Sequence, residues 1–111
     1  MALSIKPYIE NKERIHLIGI GGVSMNSLGE LLLSRGVPIS GSDRLRTDVT
    51  ARLEALGAKI TYEHKPENVE GASLIVRTAA VHDDNPEIIR AHELGIPVFE
   101  RTQAWGAISK G

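Results

Sequence analysis

The chain has 111 residues, the length of one domain, and 41% of them are hydrophobic, which is enough for a single core. The formal net charge is −1 at pH 7 with scattered lysines and arginines, so no basic face is predicted for a nucleic-acid partner. The absence of cysteine excludes disulfides, thiolate nucleophiles and sulfur-ligated metals.

Residues 1–14 are predicted to be an extension ahead of a single domain over residues 15–111. The extension is polar and mixed in charge, and it lacks the basic start and apolar stretch of a signal peptide. No later stretch is apolar for long enough to span a bilayer. We therefore expect a soluble, cytoplasmic protein with no membrane partner.

Short β-branched runs alternate with amphipathic stretches along the domain, which is typical of βαβ units around a parallel sheet. The predicted strands are residues 15–20, 37–42, 58–62, 74–76 and 96–99. Five successive strands with helices between them predict an α/β fold. It is Rossmann-like, a doubly wound five-stranded parallel sheet with helices on both faces.

Capping residues mark where the predicted helices begin and end. Thr, Asn and Pro favour helix starts, whereas Gly favours the turn after the last helical residue. The predicted caps are Gly36, Thr47, Gly57, Asn85, Gly95 and Thr102. The helix after Thr102 is predicted to continue through Trp105 and Ile108.

Three glycines follow the first strand in residues 16–25, which read HLIGIGGVSM. Glycine permits positive φ and leaves no Cβ between backbone N–H groups and an anion, and the next helix directs its positive dipole end to the same place. Gly19, Gly21 and Gly22 therefore predict a cradle for a diphosphate. Ser24 occupies the last glycine position of G-x-G-x-x-G, so glycines that serve only tight strand-to-helix packing are the alternative.

The carboxyl ends of parallel strands meet at one edge of the sheet, where ligands of such folds bind. The segments predicted there are the glycine loop, Ser42 with Asp43, residues 62–64 and residues 78–80. Asp43 follows the loop by about 20 residues, the spacing of an acid that binds the ribose of NAD. A turn-forming acid is the alternative for Asp43, and a solvated loop histidine is the alternative for a ligand contact by His64.

No catalytic residue and no metal site are predicted in this chain. The four histidines lack metal-ligand spacing, and no carboxylate pair shares a helix face as an acid–base couple. His16 and His92 are interpreted as structural residues. Arg77 and Arg101 lie at or near strand ends, where they could contact phosphate or a neighbouring domain or remain solvated.

Several segments together resemble the N-terminal domain of the Mur ligases over nearly the whole chain. They are HLIGIGGVSM (16–25), SGSD (40–43), RLEALGA (52–58), DNPE (84–87) and ELGIPV (93–98). The resemblance implies that the domain binds UDP-N-acetylmuramate, with the glycine loop on the diphosphate in place of NAD. The substrate-binding residues it implies are Gly19, Gly21, Gly22, Val23, Ser24, Met25, Ser42, Asp43, His64, Thr78, Ala79 and Ala80. The family often has Gly at position 24 and Ser-Ser-Ala at positions 78–80.

The resemblance further implies a cytoplasmic, ADP-forming ligase that adds L-alanine to UDP-N-acetylmuramate in peptidoglycan biosynthesis. ATP and Mg²⁺ belong to the family's central domain, whose G-x-x-G-K-T loop has no counterpart here. We therefore expect a non-catalytic, cofactor-free substrate-binding piece, with the central and C-terminal domains outside this chain. The alternatives are a ligase that attaches a recycled murein peptide to the same nucleotide sugar, the NAD-binding domain of an oxidoreductase, and a free-standing interaction module.

Overall fold

The computed structural model describes residues 5–104, which contain a five-stranded sheet. The strands are β1 (Ile15–Ile18), β2 (Ile39–Ser42), β3 (Lys59–Thr61), β4 (Leu74–Arg77) and β5 (Val98–Glu100). Their order is β3-β2-β1-β4-β5, and every neighbouring pair is parallel. This arrangement confirms the predicted doubly wound α/β fold. The strand order reverses between β1 and β4, the place where such sheets open a crevice for a ligand.

Helices cover both faces of the sheet, as predicted. They are α1 (Lys6–Glu10), α2 (Val23–Ser34), α3 (Asp48–Ala55), α4 (Pro86–Leu94) and a 3₁₀ helix (Pro66–Val69). Side chains from α1, α2 and α3 pack on one face, and those from the 3₁₀ helix and α4 pack on the other. Alternation along the strands feeds both cores, since Leu17 and Ile18 of β1 enter opposite ones.

Helix α1 lies in the segment that the sequence analysis treats as an extension. Ile5 is fully buried in the core beside α2, and Tyr8 and Ile9 pack against the same cluster. The Tyr8 and Phe99 rings meet edge to face with their centroids 6.4 Å apart. These contacts attach α1 to the folded domain. Tyr8 and Ile9 follow Ile5 by three and four residues, so all three side chains lie on one face of the helix.

Four of the five strands are shorter than predicted, whereas β4 extends one residue further, to Arg77. The first strand ends at Ile18 rather than at residue 20, because Gly19 turns the chain with φ +76°. The N–H groups of Gly19 and Ile20 then both donate to the carbonyl of Ser42, at 2.8 and 3.1 Å. The end of β1 is thereby bonded to the end of β2.

Two predicted helix starts are confirmed and one is wrong. Thr47 caps α3 through the Thr50 N–H, and the Asn85 side chain accepts from the Glu87 N–H at 2.9 Å. The last helix begins before Thr102, because residues 101–104 are already helical and the Gln103 side chain accepts from the Glu100 N–H at 2.8 Å. The predicted continuation through Trp105 and Ile108 lies outside the described residues. Within residues 5–104, no helix is long and apolar enough to cross a membrane.

Candidate ligand-binding site

The glycine loop joins β1 to α2 and leaves the start of that helix open. Gly22 is the N-cap and has no side chain to accept a helix N–H, and the first backbone bond of the helix runs from the Asn26 N–H to the Gly22 carbonyl at 2.8 Å. The N–H groups of Val23, Ser24 and Met25 have no partner within residues 5–104. Three donors at the positive end of a 12-residue helix can hold an anionic oxygen.

Positive φ occurs at only one of the three predicted glycines. Gly19 has φ +76°, whereas Gly21 and Gly22 lie outside the left-handed region. Gly21 is instead required by close approach. A Cβ there would stand 2.8 Å from the Asp43 Oδ2 and 3.0 Å from the Thr50 Cγ2. Gly21 was expected to be needed for positive φ. The structure shows instead that a side chain at this position would collide with Asp43 and Thr50.

Asp43 connects the end of β2 to the glycine loop. Its Oδ2 accepts from the Gly21 N–H at 2.8 Å, and its Oδ1 accepts from the Arg44 N–H at 2.8 Å and, more weakly, from the Leu45 N–H at 3.4 Å. Asp43 therefore stabilises a local turn, as the alternative interpretation of this residue predicted. It also lies on the rim of an adjacent cavity, so the turn and the site are built from the same carboxylate.

A cavity of about 720 Å³ opens at the carboxyl edge of the sheet. Segments that follow β2, β3 and β4 surround it, as the parallel topology requires. Its lining residues are Asp43, Arg44, Leu45, His64, Ala80, Val81, His82, Asp84, Asn85 and Pro86. Three of the predicted site residues, Asp43, His64 and Ala80, meet there. Arg44 and Leu45 directly follow Asp43, and Val81 and His82 directly follow Ala80, which is the signal that could have found these four.

The remaining predicted site residues are not part of the cavity lining. Val23 extends an 88% exposed side chain from the first turn of α2, whereas the Met25 side chain is buried in the core. The Ser24 hydroxyl accepts from Arg101 Nη1 at 2.8 Å, which brings a cation from the end of β5 beside the open helix start. Thr78 and Ala79 follow β4 just before Ala80.

Arg77 is used within the loop that follows β4. Its guanidinium pairs with Asp83 at 2.5 Å and donates to the carbonyl of Val81, so it braces the segment that carries Ala80. The Arg77 side chain holds the pKa of Asp83 below its usual value through a hydrogen bond and its charge. Of the two arginines singled out in the sequence, Arg101 is therefore the one beside the open N–H groups.

A buried polar cluster, here called the Glu87 cluster, lies beneath the cavity between the sheet and α4. Its members are His16, Ser40, Ser42, His64 and Glu87. The Glu87 side chain is fully buried and Ser42 is fully buried as well. The Ser42 hydroxyl donates to Glu87 Oε1 at 3.0 Å, and His16 Nε2 contacts the same oxygen. The Ser42 side chain, a predicted substrate contact, is thus enclosed and engaged inside the protein.

The sequence analysis missed Glu87, which stands where an acid normally favours a helix start. The available signal was His16 within an apolar strand, facing the same side of the sheet as Ser40 and Ser42 two residues apart in β2. Polar side chains that face a buried layer require hydrogen-bond partners, and His16 and Ser42 share Glu87 as theirs. Within residues 5–104, no group of three or more His, Asp or Glu side chains is arranged to hold a metal ion.

Burial raises the pKa of Glu87, but hydrogen bonds and charge from His16, with further hydrogen bonds from Ser42 and His64, outweigh it and leave the pKa below its usual value. Because the folded pKa lies below the unfolded one, ionised Glu87 contributes stability above the unfolded pKa of about 4.3. That contribution is lost as the pH falls through the folded pKa.

We therefore expect the free energy of unfolding to decrease on acidification below about pH 4.3, by at most about 1.4 kcal/mol per pH unit for this one proton. Urea unfolding at a series of pH values measures the slope. Glu87→Gln should flatten it, because the amide does not titrate, whereas Glu93→Gln on the exposed side of α4 should leave it unchanged. Equal slopes in wild type and Glu87→Gln would contradict the assignment.

An open helix start and a cavity at the carboxyl edge of a parallel sheet define a Rossmann-like ligand-binding domain. The sequence pattern of the family described as "Mur ligase family, catalytic domain" matches residues 14–111. The chain belongs to the Mur ligase family.

Individual relatives agree with this assignment. The chain is 50% identical over 102 residues to the UDP-N-acetylmuramate--L-alanine ligase of Caldanaerobacter subterraneus subsp. tengcongensis, covering 92% of this chain and 22% of that protein. It is 38% identical to the crystal structure of UDP-N-acetylmuramate-alanine ligase from Thermotoga maritima, with a TM-score of 0.77, covering 81% of this chain and 21% of that one. The chain therefore spans about a fifth of the length of these relatives.

A further structure shares the fold. The UDP-N-acetylmuramate:L-alanyl-gamma-D-glutamyl-meso-diaminopimelate ligase of Neisseria meningitides superposes with a TM-score of 0.73 at 24% identity, covering 80% of this chain and 28% of that one. At this identity the likeness establishes the architecture alone.

Proposed function

We propose that this domain binds UDP-N-acetylmuramate for a cytoplasmic ligase that joins L-alanine to it in peptidoglycan biosynthesis. The observation that carries the proposal is the 50% identity, over 92% of this chain, to a protein named for that substrate and amino acid. The open start of α2 beside a polar cavity supports it, because a nucleotide sugar presents a diphosphate together with hydroxyl and ring groups.

In this proposal the diphosphate lies at the start of α2. The N–H groups of Val23, Ser24 and Met25 hold its oxygens, and the absence of a side chain at Gly22 lets them approach. Arg101, already bonded to the Ser24 hydroxyl, adds a positive charge at this position. Met25 contributes its backbone only, since its side chain belongs to the core.

The nucleoside and sugar groups occupy the cavity and its rim. Asp43, His64 and Ala80 line it, and Thr78 and Ala79 approach from the end of β4. Gly19 and Gly21 shape the turn that sets the helix start beside Asp43. Ser42 supports the site from inside the protein. Its carbonyl accepts hydrogen bonds from the glycine loop, and its hydroxyl donates to Glu87.

The residues present do not fit ATP or Mg²⁺. The chain has no Gly-Lys-Ser or Gly-Lys-Thr sequence to cradle a triphosphate, and residues 5–104 show no acidic metal cluster. We propose that ATP and Mg²⁺ are bound by parts of the ligase outside this chain. The role of this domain is then to position the nucleotide sugar, which lowers the entropic cost of the reaction.

We expect the chain to bind UDP-N-acetylmuramate at least about tenfold more tightly than NAD, a difference of about 1.4 kcal/mol. Isothermal titration calorimetry with each ligand measures the difference, and UDP alone reports how much the nucleotide part contributes. Binding of NAD with UDP and UDP-N-acetylmuramate both inert would contradict the proposal. Weak UDP binding would not, since other domains of a ligase add contacts to the sugar.

A further inference from the structure

Glu87 joins four elements of the domain through one buried carboxylate. Its Oε1 contacts His16 of β1 and Ser42 of β2, and its Oε2 contacts His64 Nδ1 at 2.9 Å and the Asn68 amide of the 3₁₀ helix at 3.5 Å. Glu87 itself is fully buried, whereas the side chain of His64 retains 19% of its exposure. The carboxylate therefore connects the core to the one histidine of this cluster that lines the cavity.

The hydrogen bonds assign the proton of the His64 ring. The Ser42 hydroxyl has one proton, which it donates to Glu87 Oε1 at 3.0 Å, so towards His64 Nδ1 at 3.1 Å it can only accept. Ionised Glu87 Oε2 can also only accept. Because both neighbours of Nδ1 are acceptors, Nδ1 must carry a hydrogen. A neutral His64 then has its lone pair on Nε2.

Nε2 is the ring nitrogen left for a ligand. It makes no hydrogen bond within residues 5–104, and it is not among the enclosed side-chain atoms that lack a partner. His64 belongs to the wall of the 720 Å³ cavity together with Asp43 and Ala80. An acceptor at this place would recognise a hydroxyl or ring N–H group, both of which a nucleotide sugar offers.

We propose that Glu87 is a positioning residue for ligand binding, which holds the proton of His64 on Nδ1 so that Nε2 accepts a hydrogen bond from the ligand in the cavity. The inference rests on the proposed function for the identity of the ligand, a nucleotide sugar. The assignment of the proton itself rests only on the geometry of Glu87, Ser42 and His64. Two measurements test these parts separately.

The first measurement is the tautomer of the neutral His64 ring in the wild-type 111-residue chain, read from the ¹⁵N and ¹H spectra of the labelled imidazole. We expect hydrogen on Nδ1 and none on Nε2. Because free imidazole rings carry no such constraint, a ring with its hydrogen on Nε2 would overturn the proposal without any substitution being made.

The second measurement is a double-mutant cycle on the affinity for UDP-N-acetylmuramate. His64→Asn keeps an N–H donor at the place of Nδ1 but removes Nε2, so it should preserve the contact with Glu87 and lose ligand affinity. Glu87→Gln should weaken binding about tenfold in the wild-type background and less than about twofold in the His64→Asn background. Glu93→Gln, on the exposed side of the same helix, is the matched control and should have no effect.

Each outcome distinguishes positioning from a structural role. Equal loss of affinity from Glu87→Gln in both backgrounds would mean that Glu87 only stabilises the fold, and it would overturn the proposal. If the wild-type chain binds no UDP-N-acetylmuramate, the proposed function fails, and with it the ligand named in this inference. The tautomer measurement still shows whether Glu87 holds the proton of His64 on Nδ1. Circular dichroism confirms that each variant is folded before its affinity is compared.

Discussion

Glu87→Ala is expected to lower the free energy of unfolding by about 3–5 kcal/mol, the largest effect of any single polar substitution in this domain. The substitution removes the acceptor for three side chains that cannot reach water or can reach it only in part, His16, Ser42 and His64. An unpaired buried donor costs about 1–3 kcal/mol, whereas the truncated methylenes of Glu87 contribute only about 0.8 kcal/mol each. The orphaned donors therefore dominate the loss.

Urea denaturation followed by far-UV circular dichroism measures this loss. Because small domains are stable by only about 5–15 kcal/mol, the variant should lose a large share of its stability, and its urea midpoint should fall accordingly. Glu93→Ala is the control on the same helix, since Glu93 is 57% exposed and, within residues 5–104, pairs with Arg90 on the surface. A surface pair contributes at most about 1 kcal/mol. Equal losses from the two variants would show that the Glu87 cluster is not the stabilising feature we describe.

Gly21→Val is expected to abolish most binding of UDP-N-acetylmuramate, by about a hundredfold or more, in a domain that remains folded. A Cβ at position 21 would stand 2.8 Å from the Asp43 Oδ2, so the carboxylate must move away from the Gly21 N–H and into the cavity that it now borders. The branched side chain would also stand beside the open start of α2. Two parts of the proposed site are disturbed together.

The accompanying cost in stability should be about 1–3 kcal/mol, which is typical of overpacking. It arises from the contacts with Asp43 and Thr50 and not from backbone strain, since the φ of Gly21 is accessible to other residues. Calorimetric titration and circular dichroism separate binding from folding.

Gly95→Ala supplies the control for a stability loss that leaves the site intact. Gly95 ends α4 with φ +73° and nothing lies within 4 Å of a Cβ built there, so Ala costs about 1 kcal/mol through its conformation alone. Its ligand affinity should equal that of wild type. Full affinity in a folded Gly21→Val domain would place the diphosphate elsewhere and assign the loop glycines to packing.

Features that depend on neighbours along the chain could be predicted from the order of the residues. Alternating β-branched runs and amphipathic stretches predicted the five strands and the helices between them. Thr47 and Asn85 marked the starts of two helices because a capping side chain bonds to an N–H group two or three residues later. The segments at the carboxyl edge followed as well, since parallel strands bring the residues after them to one edge whatever their lateral order.

Contacts between side chains that are distant along the chain could not be predicted in this way. His16 and Glu87 are separated by 71 residues, and Ser24 and Arg101 by 77. Their contacts depend on the strand order β3-β2-β1-β4-β5 and on which face α4 covers. Local patterns carry no information about either, because the periodicity of a strand shows that one side is buried but not what is packed against it. Glu87 therefore resembled an ordinary acid at a helix start until the fold placed it beneath His64 and the cavity.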